Sequence, residues 1–161
     1  VGNVIYKVIE YFGDDVRRIN HFLKVYGYVK MIGECENLDD SMQEILEVTA
    51  VLHDVGIKVA EQKYNSSAGH YQQLEGPPVA KKILDELGYP DDFVERVMYL
   101  IAHHHTYTNI DGMDYQILVE ADFLVNADED RLSSDAIENF KEKIFKTTTG
   151  IAVLENNYLN L

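Results

Sequence analysis

Imidazoles and carboxylates recur along this chain in a suggestive order. They are His21 in "INHFLKV", the doublet His53–Asp54 in "VLHDVG", His70 in "AGHYQQLEG", the triplet His103–His105 in "IAHHHTY", and Asp122 in "VEADFLV". Nitrogen and carboxylate donors of this kind suit divalent transition ions. Several of them fall where a core is expected. His53 and Asp54 close the apolar run "VTAVL", and burying either one unpaired costs several kcal/mol. Asp122 shares a helix face with Leu118, Val119 and Val125, at i−4, i−3 and i+3. His21 shares one with Val25 and Tyr28. Taken singly, each has a plain explanation, because buried polar groups find hydrogen-bond partners. Taken together, His21, His53, Asp54 and Asp122 bring two imidazoles and two carboxylates from three helices, enough to hold one divalent ion that neutralises both carboxylates. Within the triplet, the stripe Phe93, Val97, Leu100, Ile101 continues to His104. His104 is therefore the expected inward residue, with His105 or His103 as a second contributor. Attraction to a helix C-terminus does not by itself account for three in a row.

The elements that must position these residues are helical. Residues 3–12 read as a short amphipathic helix. Asp14 or Asp15 caps a long helix reaching about Met31, and a third helix runs from about Ser41 to Val55. Residues 57–77 read as a long connection with weak periodicity, the kind that often forms a functional lid. Pro77 and Pro78 suit the first turn of a helix that ends at Gly88. A further helix starts near Pro90 and ends at the histidines. Others span about Tyr115–Asp128 and Ser134–Phe145, and the apolar residues of the tail are expected to dock on the body. No strand pattern stands out. The expectation is an all-α, single-domain bundle of about six or seven helices, with the motif-bearing core over residues 14–128 and a C-terminal helix and docked tail over 134–161.

Composition narrows the partners. The net charge is −14, and the 14 basic residues are scattered, the densest groups being the pairs Arg17–Arg18 and Lys81–Lys82. A nucleic-acid polymer would call for a basic patch, so none is expected. A small anionic substrate would need a metal or a local cation to offset the repulsive field. No run of about 18 apolar residues exists, so no membrane span is expected. A single cysteine, Cys35, fits a reducing compartment. The first residues lack a signal-peptide pattern, and a cytoplasmic location is expected.

The ordered set H…HD…D, with extra histidines between the doublet and the last aspartate, resembles the HD superfamily of metal-dependent phosphohydrolases. The resemblance implies a helical core with His21, His53, Asp54 and Asp122 around one metal. It also implies that His70 and His104 hold a second, with Asp54 bridging. The cofactor would be one or two divalent transition-metal ions (Mn, Fe, Co, Ni or Zn), and the substrate a small phosphorylated molecule, a nucleotide among the candidates. Asp54 would bind metal and orient the attacking water. His70 is a candidate proton donor. Many family members read HD-x-G-K, whereas this chain reads "HDVGIK", so Lys58, the candidate phosphate contact, comes one residue late. Glu75 is a candidate general acid or base, although an acidic residue beside a helix N-terminus has a simpler purpose. Two other readings share the fold: a di-iron oxygenase, which the extra histidines permit, and a non-catalytic metal-stapled binding or sensor module.

Overall fold

The computed structural model describes residues 1–160, and among them every regular element is helical. In chain order they are α1 (Gly2–Phe12), α2 (Val16–Cys35), α3 (Asp40–Leu52), α4 (Ile57–Tyr64), α5 (Gly69–Glu86), α6 (Asp91–His103), α7 (Met113–Glu129), α8 (Ser134–Ile144) and α9 (Thr148–Leu154), followed by one π-helical turn, Glu155–Leu159. Local chemistry sets the starts. The Asp15 carboxylate accepts from the Arg18 backbone N–H at 3.3 Å, Asp39 from Met42 at 2.8 Å, and Ser133 from Ala136 at 3.1 Å. Such caps satisfy N–H groups that the helix itself leaves free.

Two apolar clusters organise the bundle. One joins Val25, Val29 and Ile32 of α2 to Leu46, Ala50 and the buried face of α7, with Ile137, Phe145 and Leu154 closing it. The other joins Val4, Val8 and Phe12 of α1 to Val48, Val51 and Leu52 of α3, and to α5 and α6. α3 feeds both, and it is buried continuously from Leu46 to Leu52. Each fully buried Val or Leu contributes about 1.5–3 kcal/mol, so the end of α3, which carries His53 and Asp54, is held between two packed masses.

The connection expected over residues 57–77 is helical except over residues 65–68. It forms α4 and the first two turns of α5, and this raises the helix count. Pro77 and Pro78 lie inside α5 rather than at its start. Their missing N–H groups free the carbonyls of Gln73 and Leu74. The helix tolerates this because Pro78 is exposed and the neighbouring Leu74 is 63% exposed, so water reaches that face. Gly76 precedes Pro77 and offers no Cβ to clash with its ring. α5 also presses directly on the turn after the HD doublet. A Cβ on Gly56 would lie 2.5 Å from both the Gln72 carbonyl oxygen and the Gly76 nitrogen.

The tail does dock. Glu120, fully buried on α7, accepts from the Lys146 and Thr147 backbone N–H groups at 3.0 and 3.1 Å and from the Thr147 hydroxyl at 2.5 Å. The Tyr158 hydroxyl donates to the Leu124 carbonyl at 2.6 Å.

Gly56→Ala tests the contact between α5 and the HD turn. The added methyl meets backbone that cannot rotate away, so the expected loss is about 2 kcal/mol or more, read as a lowered midpoint in urea unfolding.

Candidate metal centre

His53 and His104 occupy equivalent places at the ends of two helices. Each is the C-cap of its helix, α3 or α6. Each donates Nδ1–H to the carbonyl three residues back, His53 to Ala50 at 2.6 Å and His104 to Ile101 at 2.7 Å. Both are almost wholly buried. His21, on α2, places Nδ1 against the Glu129 carboxylate at 3.0 and 3.2 Å. In all three rings the proton on Nδ1 is engaged, which leaves Nε2 with a free lone pair in the neutral form.

Those Nε2 atoms meet two carboxylates. His21 Nε2 lies 3.2 Å from His53 Nε2, 3.3 Å from Asp54 Oδ2 and 3.2 Å from Asp122 Oδ1. His53 Nε2 lies 3.3 Å from each of the same two oxygens. Asp54 turns its other oxygen, Oδ1, toward His104 Nε2 at 3.6 Å. One donor atom each from His21, His53 and Asp54 falls within 4.8 Å of the others, and so do donors from Asp54, His104 and His105. Asp54 thus belongs to both groups.

This donor set fits a metal ion. Donors about 2.1 Å from one ion, at tetrahedral to octahedral angles, stand about 3.0–3.4 Å apart, the spacing found around His21, His53 and Asp122. Asp122 Oδ1, His104 Nε2 and His105 Nε2 are buried without an aligned hydrogen bond, although close neighbours surround them. The Glu129–His21 pair is the carboxylate support that ligating histidines commonly receive.

Charge tells the same story. Burial works against an imidazolium at His21, but Asp122 and Asp54 outweigh it and push its pKa up to about 10. His53 is raised for the same reasons, burial opposing and Asp54 and Asp122 prevailing. The two aspartates move the opposite way. Burial disfavours their charge, and the histidines hold them well below the usual carboxylate range. His105, by contrast, is lowered to about 4 by burial and by His104, so it is a neutral imidazole at pH 7.

The remaining expected site residues lie elsewhere. On α5 the inward stripe is Gly69, Gln72, Gly76, Ala80 and Ile83 at helical spacing. His70 is one residue off that stripe, exposed, with its ring 3.9 Å from that of Tyr71. Among the described residues it joins neither donor group, and His105 takes its expected place beside His104. Lys58 points to α1, where Nζ donates to the Tyr11 carbonyl at 3.1 Å and sits over the Tyr11 ring. Glu75 is held by the Tyr64 hydroxyl at 2.9 Å and by Lys63 at 3.2 Å. The Tyr64 bond first, and then Lys63, lower its pKa, so it is an ionised partner of α4 rather than a proton donor in the cleft. His103 faces outward, stacked on Tyr99.

His21, Asp54, Asp122 and His105 line a cleft of about 620 Å³, while His53 and His104 are too deeply buried to reach it. Its walls include Arg17 and Arg18 of α2, Ser67, Gly69 and Gln72 before and within α5, His105, and Asn126, Glu129 and Asp130 beyond Asp122. Arg17, Arg18 and Glu129 were not among the expected site residues. Helical spacing carried the signal for all three: Arg17 and Arg18 precede His21 by four and three residues, and Glu129 follows Asp122 by seven. Two contacts fix the end of α6. Gln73 Oε1 accepts from the His105 N–H at 2.9 Å, and the Tyr115 hydroxyl lies 2.8 Å from the His103 carbonyl.

Two outcomes follow. Glu129→Gln should weaken metal affinity about 10- to 100-fold with the fold intact, read by competition with a chromophoric chelator. In metal-free protein, the raised His21 stabilises the fold fully below pH 6.5, the unfolded value, and that stability is lost as pH climbs toward about 10. The depressed aspartates stabilise it above their unfolded pKa of 3.8, and that stability is lost in more acid solution. Thermal melts should therefore peak between about pH 4 and 6.5 without metal. The stabilisation added by Zn or Mn should grow as pH rises, because protons no longer compete for the imidazoles.

The HD domain model matches residues 18–139 of this chain. The crystal structure of a predicted HD superfamily hydrolase from an uncultured Thermotogales bacterium is similar in fold, with a TM-score of 0.71 and 24% identity, over 99% of this chain and 86% of that one. No curated protein matches the sequence. No helix of the described residues is long and apolar enough to cross a membrane. With the match spanning the three helices that carry His21, His53–Asp54 and Asp122, the chain belongs to the HD domain family.

Proposed function

We propose that this chain is a metal-dependent phosphohydrolase that cleaves a phosphate ester of a small molecule. The observation that carries the reading is the convergence of free Nε2 lone pairs and two carboxylates beside an open cleft, which His21, Asp54 and Asp122 reach. His21, His53, Asp54 and Asp122 would hold one divalent transition ion, and Asp54, His104 and His105 a second. Such ions, when bound, supply a water acidic enough to attack near neutral pH and positive charge for the phosphoryl oxygens.

The protein's own groups set the geometry. Asp54 spans both donor groups, Oδ2 toward His21 and His53 and Oδ1 toward His104, so it would orient a water held between them. Glu129 fixes the ring of His21, and the Ala50 and Ile101 carbonyls fix those of His53 and His104. His105 remains neutral and keeps its lone pair available. A cleft of this size accepts a molecule up to a nucleotide. The acidity of the chain favours a small substrate over a nucleic-acid polymer.

The test combines elemental analysis with phosphate release from a panel of phosphomonoesters, phosphodiesters and nucleotides. Wild type should carry one or two transition ions per chain and release phosphate. Asp54→Ala should lose metal and at least about a hundredfold in turnover while keeping its helical circular dichroism. Full metal and turnover in that variant would sink the mechanism. Iron with an oxygen-dependent absorbance change would favour the oxygenase, and no metal after supply of Mn, Fe or Zn would favour a binding module.

A further inference from the structure

Two arginines line the cleft in a molecule of charge −14. Arg17 and Arg18 both line it from the first turn of α2. They are not equivalent. Arg18 is consumed, since its guanidinium pairs with Asp15 Oδ2 at 3.1 Å and with Glu61. Arg17 has no ion pair among the described residues, although Asp54, Asp122, Glu129 and Asp130 line the same cleft. No lysine lines the cleft, and Lys58, Lys63 and Lys24 are engaged, on Tyr11, on Glu75 and 3.9 Å from Glu129. Arg17 is thus the uncommitted cation of the cleft. It stands four residues, or about one helical turn of 5.4 Å, from His21.

We infer that the substrate carries a second anionic group, held by Arg17 about one helical turn from the donor cluster. The substrate class is then a bisphosphate or a phosphorylated acid rather than a simple phosphomonoester. This rests on the phosphohydrolase reading above. A guanidinium suits the task because its fork of N–H groups matches phosphate and carboxylate oxygens in pairs.

The experiment is calorimetric binding of three non-hydrolysable probes to metal-supplied protein. They share a three-carbon chain: propane-1,3-bisphosphonate, 4-phosphonobutyrate and propylphosphonate. Wild type should bind the bisphosphonate more tightly than propylphosphonate, and added salt should narrow the gap. Arg17→Ala should weaken the bisphosphonate about tenfold and leave propylphosphonate unchanged, with metal content and melting temperature also unchanged. Arg17→Lys should restore part of the loss. If 4-phosphonobutyrate follows the bisphosphonate, any second anion serves; if it follows propylphosphonate, the second group is a phosphate. Equal weakening of all three probes would place Arg17 on the reacting phosphoryl group and overturn the inference, as would a wild type with no preference. The readout does not depend on turnover. Failure to hydrolyse any ester would count against the phosphohydrolase reading, and a flat binding series would count against Arg17.

Discussion

Two carboxylates share the centre of this bundle with three imidazole nitrogens, and the rest of the molecule is arranged around that encounter. Asp54 and Asp122 cannot remain ionised in so enclosed a place without positive charge beside them. In the absence of metal the protein supplies that charge by protonating His21 and His53. A divalent ion supplies it better, because the imidazoles then offer lone pairs instead of competing for protons. The packing of α2, α3 and α7 is what keeps the groups from separating. α3 is clamped by two apolar clusters, and α7 is buried along most of its length.

Around the donors lies a second layer whose work is orientation. The rings of His21, His53 and His104 have Nδ1 engaged, by Glu129, by the Ala50 carbonyl and by the Ile101 carbonyl. Gln73 and Tyr115 hold the chain where α6 ends. Arg96 pairs with Asp111 and Asp114 and so fixes the turn that leads into α7. Glu120 does the same for the tail on the far side of α7, two residues from Asp122. Site and scaffold therefore use adjacent residues of one helix.

Much of this was legible in the sequence because it is written in helical spacing. Asp122 and His21 could be placed beside the core from apolar residues at helical spacing, His53 and Asp54 from the apolar run they close, and His104 from the stripe through Val97 and Leu100. What stayed hidden depends on contacts between segments distant in sequence. The helicity of α4 and early α5 follows from the close approach of Gly56 to Gly76, and two prolines in succession pointed to a helix start instead. Lys58 and Glu75 have suitable chemistry, yet Tyr11, Tyr64 and Lys63 claim them. His70 misses the inward stripe of α5 by a single residue, a distinction that required knowing where that helix begins.

The matched positions of His53 and His104 have one further consequence. Each caps the C-terminus of its helix and their rings lie 5.3 Å apart, so the negative ends of the α3 and α6 backbone dipoles come close together. That bias comes from the main chain and precedes any choice of side chain. It adds to the two carboxylates, so the positive charge beside them, imidazolium or cation, has more to offset. In the phosphohydrolase proposed above, a cation held there would offset that bias before an anionic substrate approached.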